Sequence, residues 1–266
     1  MKIDYQETTS DLQTRIDIHG KYGGRDIDQW MLDLLQLQKG IQILDVGCGS
    51  GKQCFSYLKE LQGEAEIHGG DVSADLLKQA RENNASTGNK VIFRELNFNQ
   101  PFPYGANRFD LLSCCFAIYY AEDIPATIAE MHRVIKPGGR LFTTGPMPAN
   151  KQIFYEIIRE ATGKPIPPMP GSSRFSTQIL PAIQNLFSQV DVHVFENPLT
   201  FQSVEPFLAY TRASLAEDRK LWADLFSGKD DFNRVMDQIS VAATRRLQAE
   251  GQLVMTKVVG GILAVK

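Results

Sequence analysis

The chain has 266 residues, 43% of them hydrophobic and 22% charged, enough to bury one large core or two small ones. A formal net charge of -3, with no basic cluster beyond the Arg245-Arg246 pair, argues against nucleic acid as the main partner. The polar start "MKIDYQETTS" has no apolar signal core, and no apolar run is long enough to span a bilayer, so a cytoplasmic protein is expected. Cys48, Cys54, Cys114 and Cys115 lack both a disulfide pattern and the paired CxxC spacing of a zinc site, and no other side-chain cluster implies a metal.

In chain order, Ser10 can cap a helix through "DLQTRIDIH", ended by Gly20 and by Gly23-Gly24. A second helix after Asp26 places Ile27, Trp30, Met31, Leu34 and Leu35 on one stripe. From Ile41 the pattern alternates: strand "IQILDV", helix "KQCFSYLKEL", strand "AEIHGGDV", a helix that Ser73 can cap, and strand "VIFREL". The continuous apolar run "RFDLLSCCFA" suits a strand buried on both faces. Pro125 opens a helix that Gly138-Gly139 terminates, and "RLFTTG" is a fifth strand. This alternation predicts a doubly wound, mostly parallel α/β sheet with helices on both faces.

After Gly145, "PMPANKQ" and "GKPIPPMPGSSR" read as connections. "STQILPAIQNLF" follows as a helix with Pro181 in its first turns, then "VDVHVFENPLTF" as a strand. A helical block precedes the closing β-rich run "LVMTKVVGGILAVK" and reads as an insertion. A single domain over 1–266 is therefore expected, with an N-terminal helical arm at 1–39 and a seven-stranded core at 40–202 and 251–266. The insertion at 203–250 would be a lid.

The densest chemistry lies in "ILDVGCGSGKQC", where Gly47, Gly49 and Gly51 follow an acid on the strand, Asp45. A phosphate-binding P-loop fails because Gln53 follows Lys52 and Val46 stands where its first glycine belongs. A GxGxxG dinucleotide turn fails because Lys52 takes the third glycine's place. A plain strand-to-helix turn needs one glycine, not three behind an acid.

The run from Asp45 to Gly51 resembles the S-adenosylmethionine signature of class I methyltransferases. With "RFDLLSCCFAIYYAED" and "MHRVIKPGG", the likeness extends to small-molecule enzymes such as those of quinone biosynthesis, strongly over about Ile41 to Gly145. It implies a Rossmann-like sheet and S-adenosyl-L-methionine as cofactor. Gly47, Cys48, Gly49 and Gly51 would let the backbone approach the cofactor, and Asp45 would hold its cationic amino-acid end. Asp71, ending the second strand beside Val72, would bind the ribose hydroxyls. Asn97-Phe98 would contact adenine, with Asn99 a near competitor, and Cys115, Phe116 and Tyr119 would stand at the ligand end of the fourth strand.

Methyl transfer needs positioning more than a catalytic dyad, and none is visible. His68, His132 and His193 suit structural roles. His19, with Tyr22 and Tyr119, is a candidate for catalysis, and the arm stretch "TRIDIHGKYGG" suits a segment that orders over a bound cofactor. Phe207, Tyr210 and Trp222 are candidates to line an apolar acceptor pocket. The implied reaction is methylation of an O, N or C nucleophile of a small metabolite; oligomeric state stays open. The alternatives are a non-catalytic cofactor-binding regulatory module and an aminopropyltransferase-like sibling, although the acidic loop of the latter is not seen after the fourth strand.

Overall fold

A computed structural model describes residues 9–164, 166–167, 170–217, 222–228 and 231–266. The first part of the polar N-terminal stretch, some of the Pro-rich connection after Gly163, and short pieces of the helical block lie outside the described residues. The strands are β1 (Gln42–Val46), β2 (Glu66–Asp71), β3 (Val91–Glu95), β4 (Phe109–Cys115), β5 (Ile135–Pro146), β6 (Gln189–Phe201) and β7 (Leu253–Val265). They form one sheet in the order β3-β2-β1-β4-β5-β7-β6. β1 to β5 are parallel, and β7 runs antiparallel to both β5 and β6. The order reverses between β1 and β4, the switch point outside whose strand ends open α/β sheets bind ligands.

The helices are α1 (Thr9–Tyr22), α2 (Ile27–Leu35), α3 (Lys52–Glu60), α4 (Ala74–Ala85), α5 (Ile124–Val134), α6 (Gln152–Thr162), α7 (Pro170–Arg174), α8 (Leu180–Gln184), α9 (Glu205–Glu217) and α10 (Phe232–Glu250). Alternate strand residues face opposite layers. Ile43, Leu111 and Phe142 pack with Met31 and Leu35 of α2 and Tyr57 of α3. Leu44, Leu112 and Leu141 pack with Ile128 and Met131 of α5 and Ile183 of α8. A third cluster joins α6, α9 and α10 to the far end of the β6–β7 hairpin through Phe154, Phe201, Phe207 and Ile239.

Helix ends follow local chemistry. Asp26, Ser73 and Asp123 each accept from backbone N–H groups of the first turn of α2, α4 and α5. Three boundaries differ from expectation. α1 continues through Gly20 to Tyr22, because Ile18 is buried and the rings of His19 and Tyr22 pack on Tyr210 and Phe201. Such packing outweighs the roughly 1 kcal/mol that glycine costs a helix. The arm stretch is thus a docked helix, and its junction to α2 is pinned where Asn197 Oδ1 accepts from Gly24 and Arg25.

α5 ends at Val134, well before Gly138, because Ile135 already pairs with Phe109 of β4. The helix containing Pro181 starts earlier, at Pro170, inside the stretch read as a connection. Proline lacks an N–H and crowds the preceding turn. A wide turn over Phe175–Ile179 absorbs it, with Leu180 N–H reaching back to the Phe175 carbonyl.

Candidate functional site

Parallel register places Asp45 beside Gly69 of β2 and Ser113 of β4. Ser113 Oγ donates to Asp45 Oδ1 at 2.6 Å, and Cys54 Sγ donates to Oδ2 at 3.6 Å. The carboxyl is only 2% exposed. Burial pushes its pKa up to about 7, against the pull of these two donors.

Past Val46, the chain turns through Gly47, Gly49 and Gly51 at φ of 71°, 54° and 87°. All three lie in the left-handed region, which favours glycine. Gly49 N–H donates to Asp71 Oδ2 at 2.8 Å, while Asp71 Oδ1 accepts from Ser73 N–H at 2.9 Å. Asp71 therefore ties the turn to the start of α4. The glycines differ in what a side chain would meet. A Cβ at Gly47 would lie 2.5 Å from Ala117 Cβ, and one at Gly51 would lie 2.8 Å from the Phe93 ring. At Gly49 the nearest atom is Leu76 Cδ1, at 4.0 Å. At Gly47 and Gly51 the chain itself already excludes a side chain, whereas at Gly49 only the edge of Leu76 comes within 4.0 Å.

Val72, next to Asp71, is 63% exposed. Asn97 Oδ1 accepts from Asn99 N–H at 3.0 Å, whereas Asn99 Oδ1 accepts from Glu122 N–H at 2.8 Å. Asn99 is thus committed to the connection into α5. The Phe98 carbonyl accepts from Thr127 Oγ1, and its ring packs on the core. Cys48 is buried beside the turn, with Sγ 3.7 Å from the Gly49 carbonyl. Cys115 is half-buried at the end of β4, and burial pushes its thiol well up, so it stands neutral. Tyr119 lies in a short helical turn over Ile118–Tyr120, and its carbonyl accepts from Arg174 at 2.7 Å.

His19 and Tyr22 stand on α1. Tyr22 packs edge-on against Phe201, with centroids 5.1 Å apart. His19 Nε2 is 3.5 Å from the Tyr210 hydroxyl, and its buried Nδ1 has no partner. Burial, with Lys257, Lys151 and Arg15 nearby, pushes its pKa down to about 2. An imidazole held there is a poor proton acceptor. Phe207, Tyr210 and Trp222 are 0–2% exposed within the third cluster, so they pack instead of lining an open pocket.

Sequence reasoning passed over Lys151 and Lys257. The signal for Lys257 was a lone cation inside the apolar run "LVMTKVV". Burial and neighbouring cations push it down to about 8. Gln53, at the start of α3, donates to Asp28 at 3.3 Å while its Oε1 is buried without a partner. Asp28 also meets Lys52, at 2.7 Å. Among the described residues no helix is long and apolar enough to cross a membrane.

Residues 37–165 match the family described as methyltransferase domain. A demethylmenaquinone methyltransferase from Listeria welshimeri is 33% identical over 134 residues, covering 48% of this chain and 56% of the relative. The chain thus spans about half the length of the curated relatives it matches. The fold resembles the YcgJ protein of Bacillus subtilis, with TM-score 0.58 and 13% identity over 90% of this chain and 97% of that one. It also resembles a phosphoethanolamine N-methyltransferase of Haemonchus contortus in complex with phosphomonomethylethanolamine and S-adenosylhomocysteine, with TM-score 0.53 and 17% identity over 97% of this chain and 57% of that one. The seven-stranded architecture is the Rossmann-like methyltransferase fold.

Proposed function

We propose that this chain, whose residues 37–165 match the methyltransferase-domain family, moves a methyl group from S-adenosylmethionine to an O, N or C nucleophile of a small metabolite. The observation that carries this reading is the Gly49–Asp71 hydrogen bond at a glycine whose missing side chain would meet only Leu76 Cδ1, at 4.0 Å. When bound, the cofactor would supply an electrophilic methyl carbon carried on its sulfonium sulfur, with a neutral thioether as the leaving group.

The protein's part is to bind and align. Gly49 admits the ligand close to backbone. Asp71 keeps lone pairs beyond those facing Gly49 and Ser73, and these suit ribose hydroxyls. Exposed Val72 offers an apolar face to adenine, and Asn97-Phe98 fits the ring edge. The unpartnered Gln53 Oε1 and the buried Asp45 carboxyl suit a cationic ammonium group, which draws Asp45 into its ionised form. Holding the reactants in line supplies roughly 7–11 kcal/mol of the barrier reduction. His19 is too weakly basic in this arrangement to act as the proton acceptor, so it serves better as a hydrogen-bonding group. The helices α9 and α10 serve as the lid over the acceptor. A non-catalytic binding module and an aminopropyl-transferring sibling are not favoured.

Asp71→Ala removes charge-assisted acceptors and is expected to weaken S-adenosylhomocysteine binding by about 1.5–3 kcal/mol in calorimetric titration. Wild-type affinity in the folded variant would remove Asp71 from the site.

A further inference from the structure

The sheet ends on β3 at one side and on β6 at the other. An edge strand presents a row of backbone N–H and C=O groups that a further strand can pair with. On β3 the chain's own side chains close this row. Asn84 donates to the Val91 carbonyl at 2.7 Å and accepts from its N–H at 3.2 Å, and Arg81 donates to the Phe93 carbonyl at 3.4 Å. The later part of β6 is closed as well. Leu199 bridges to Gly23, and Arg25 Nη1 donates to the Glu196 carbonyl at 2.8 Å. From Gln189 to Val194, β7 is the one strand partner among the described residues.

Ladder geometry tells which residues of this open stretch face outward. Val258 of β7 lies opposite Glu196. The Val258 carbonyl accepts from Met147 N–H and its N–H donates to Asn150 Oδ1, so both groups point away from β6. Glu196 and Val258 are therefore a pair without mutual hydrogen bonds, and Glu196 turns its backbone groups outward, as its bond from Arg25 requires. The register runs without a bulge, so Val190, Val192 and Val194 also turn their N–H and C=O groups outward. Their side chains share one face, and Val192 and Val194 are 43% and 50% exposed. No lysine or proline stands between 189 and 195 to deter pairing.

Asp191 and His193 alternate with these valines and make the stretch self-complementary. In an antiparallel pairing with its own copy centred on Val192, the two Val192 residues form a hydrogen-bonded pair and each Val190 meets a Val194. Each Asp191 then stands opposite a His193 in a pair without hydrogen bonds, where side chains approach most closely. There the imidazole can donate an N–H to the carboxylate. Moving the centre by one residue sets Asp191 against Asp191, or His193 against His193, and like groups directly opposite are unfavourable. We propose that two copies of this chain form a two-fold dimer through Val190–Val194 of β6, with Val192 on the axis, joining the two sheets into one. Such an isologous contact uses the same patch on both subunits. β4, β5 and β7 separate β6 from β1, so the glycine turn stays open in each copy. The dimer does not depend on the methyl-transfer reading.

Sedimentation of the full chain is expected to show a monomer–dimer equilibrium with Kd below about 100 µM. Val192→Pro removes an N–H that β7 does not use, at a position where an edge strand tolerates proline, and it deletes both central bonds between the copies. It should weaken the dimer about ten-fold or more. His193→Asp sets carboxylates against carboxylates and should weaken it to a similar extent. Adding Asp191→His to His193→Asp restores opposite partners and should bring Kd back to within about three-fold of wild type. An equimolar mixture of Asp191→Cys and His193→Cys chains, oxidised with diamide, should yield a covalent dimer that neither chain gives alone, because facing Cα atoms about 4.5 Å apart lie within disulfide reach. A wild type that stays monomeric to about 200 µM would overturn the inference. If the amides of Val190, Val192 and Val194 exchanged slowly in that monomer, another segment of the same chain would be the occupant. A dimer unmoved by Val192→Pro and His193→Asp would be built elsewhere and would also overturn it. The cysteine mixture decides the register if Val192→Pro fails to fold, and absence of the mixed cross-link would refute it.

Discussion

Gly49→Val is expected to lower S-adenosylhomocysteine affinity by at least about 100-fold while the chain still folds. The two halves of this expectation have separate causes. A Cβ at this position finds only Leu76 Cδ1 at 4.0 Å, so the protein itself leaves room for a side chain. The backbone at φ of 54° is unfavourable for a β-branched residue, which costs about 1–2 kcal/mol of stability. The ligand, in contrast, must approach the turn where the new methyl groups project. Gly49→Asn separates the two effects, since asparagine tolerates left-handed backbone but still projects a side chain. Gly51→Ala should behave in the opposite manner. Its Cβ strikes the Phe93 and Phe55 rings, so stability falls first. Calorimetry beside denaturant unfolding reads both quantities, and wild-type affinity in Gly49→Val would contradict a ligand at this turn.

Asp45→Asn is expected to make the unliganded protein more stable and the liganded complex weaker. The folded carboxyl titrates at about 7, above its ordinary value of 3.8. Between about pH 4 and 7 the folded chain therefore holds a proton that the unfolded chain has released. The stability linked to that proton is fully present below about pH 4 and is lost as pH rises through about 7. Asparagine has no such loss, and its oxygen can still accept from Ser113. At about pH 8 the variant should exceed wild type by on the order of 2–4 kcal/mol, with the difference vanishing toward about pH 4. A neutral amide attracts an ammonium group poorly, so S-adenosylhomocysteine affinity should fall roughly ten-fold or more. Urea unfolding at both pH values, with calorimetry, measures these effects. A variant no more stable than wild type at the higher pH would show that Asp45 is not a destabilising buried acid.

What could be read from the sequence was what is local along the chain. The β1–turn–α3 unit, the Ser73 cap and the Asp71 position depend on neighbours a few residues apart, and they stand where spacing places them. The partners of Asp45 were not legible. Ser113 lies on a strand 68 residues away, and only the parallel register of β1 with β4 brings it into contact. Lys151 and Lys257 are likewise far apart in sequence, and it is the hydrogen bond from Lys151 N–H to the Thr256 carbonyl that holds the start of α6 against β7. Glycine motifs also hide two physical demands. Spacing marks Gly47, Gly49 and Gly51 alike, but only packing reveals that Ala117 and Phe93 set the limit at two of them. Pro181 misled in the other direction. Its usual effect is to start a helix, whereas here a wide turn lets the helix run through it.

Amide hydrogen exchange of the wild-type chain, with and without saturating S-adenosylhomocysteine, tests the placement of the cofactor most directly. Protection should rise at Cys48–Gly51, at Asp71–Ser73 and at Asn97–Phe98, and change far less along β6 and α10. Unchanged exchange at the glycine turn, or protection confined to other elements, would contradict a cofactor bound outside the carboxyl ends of β1 and β2.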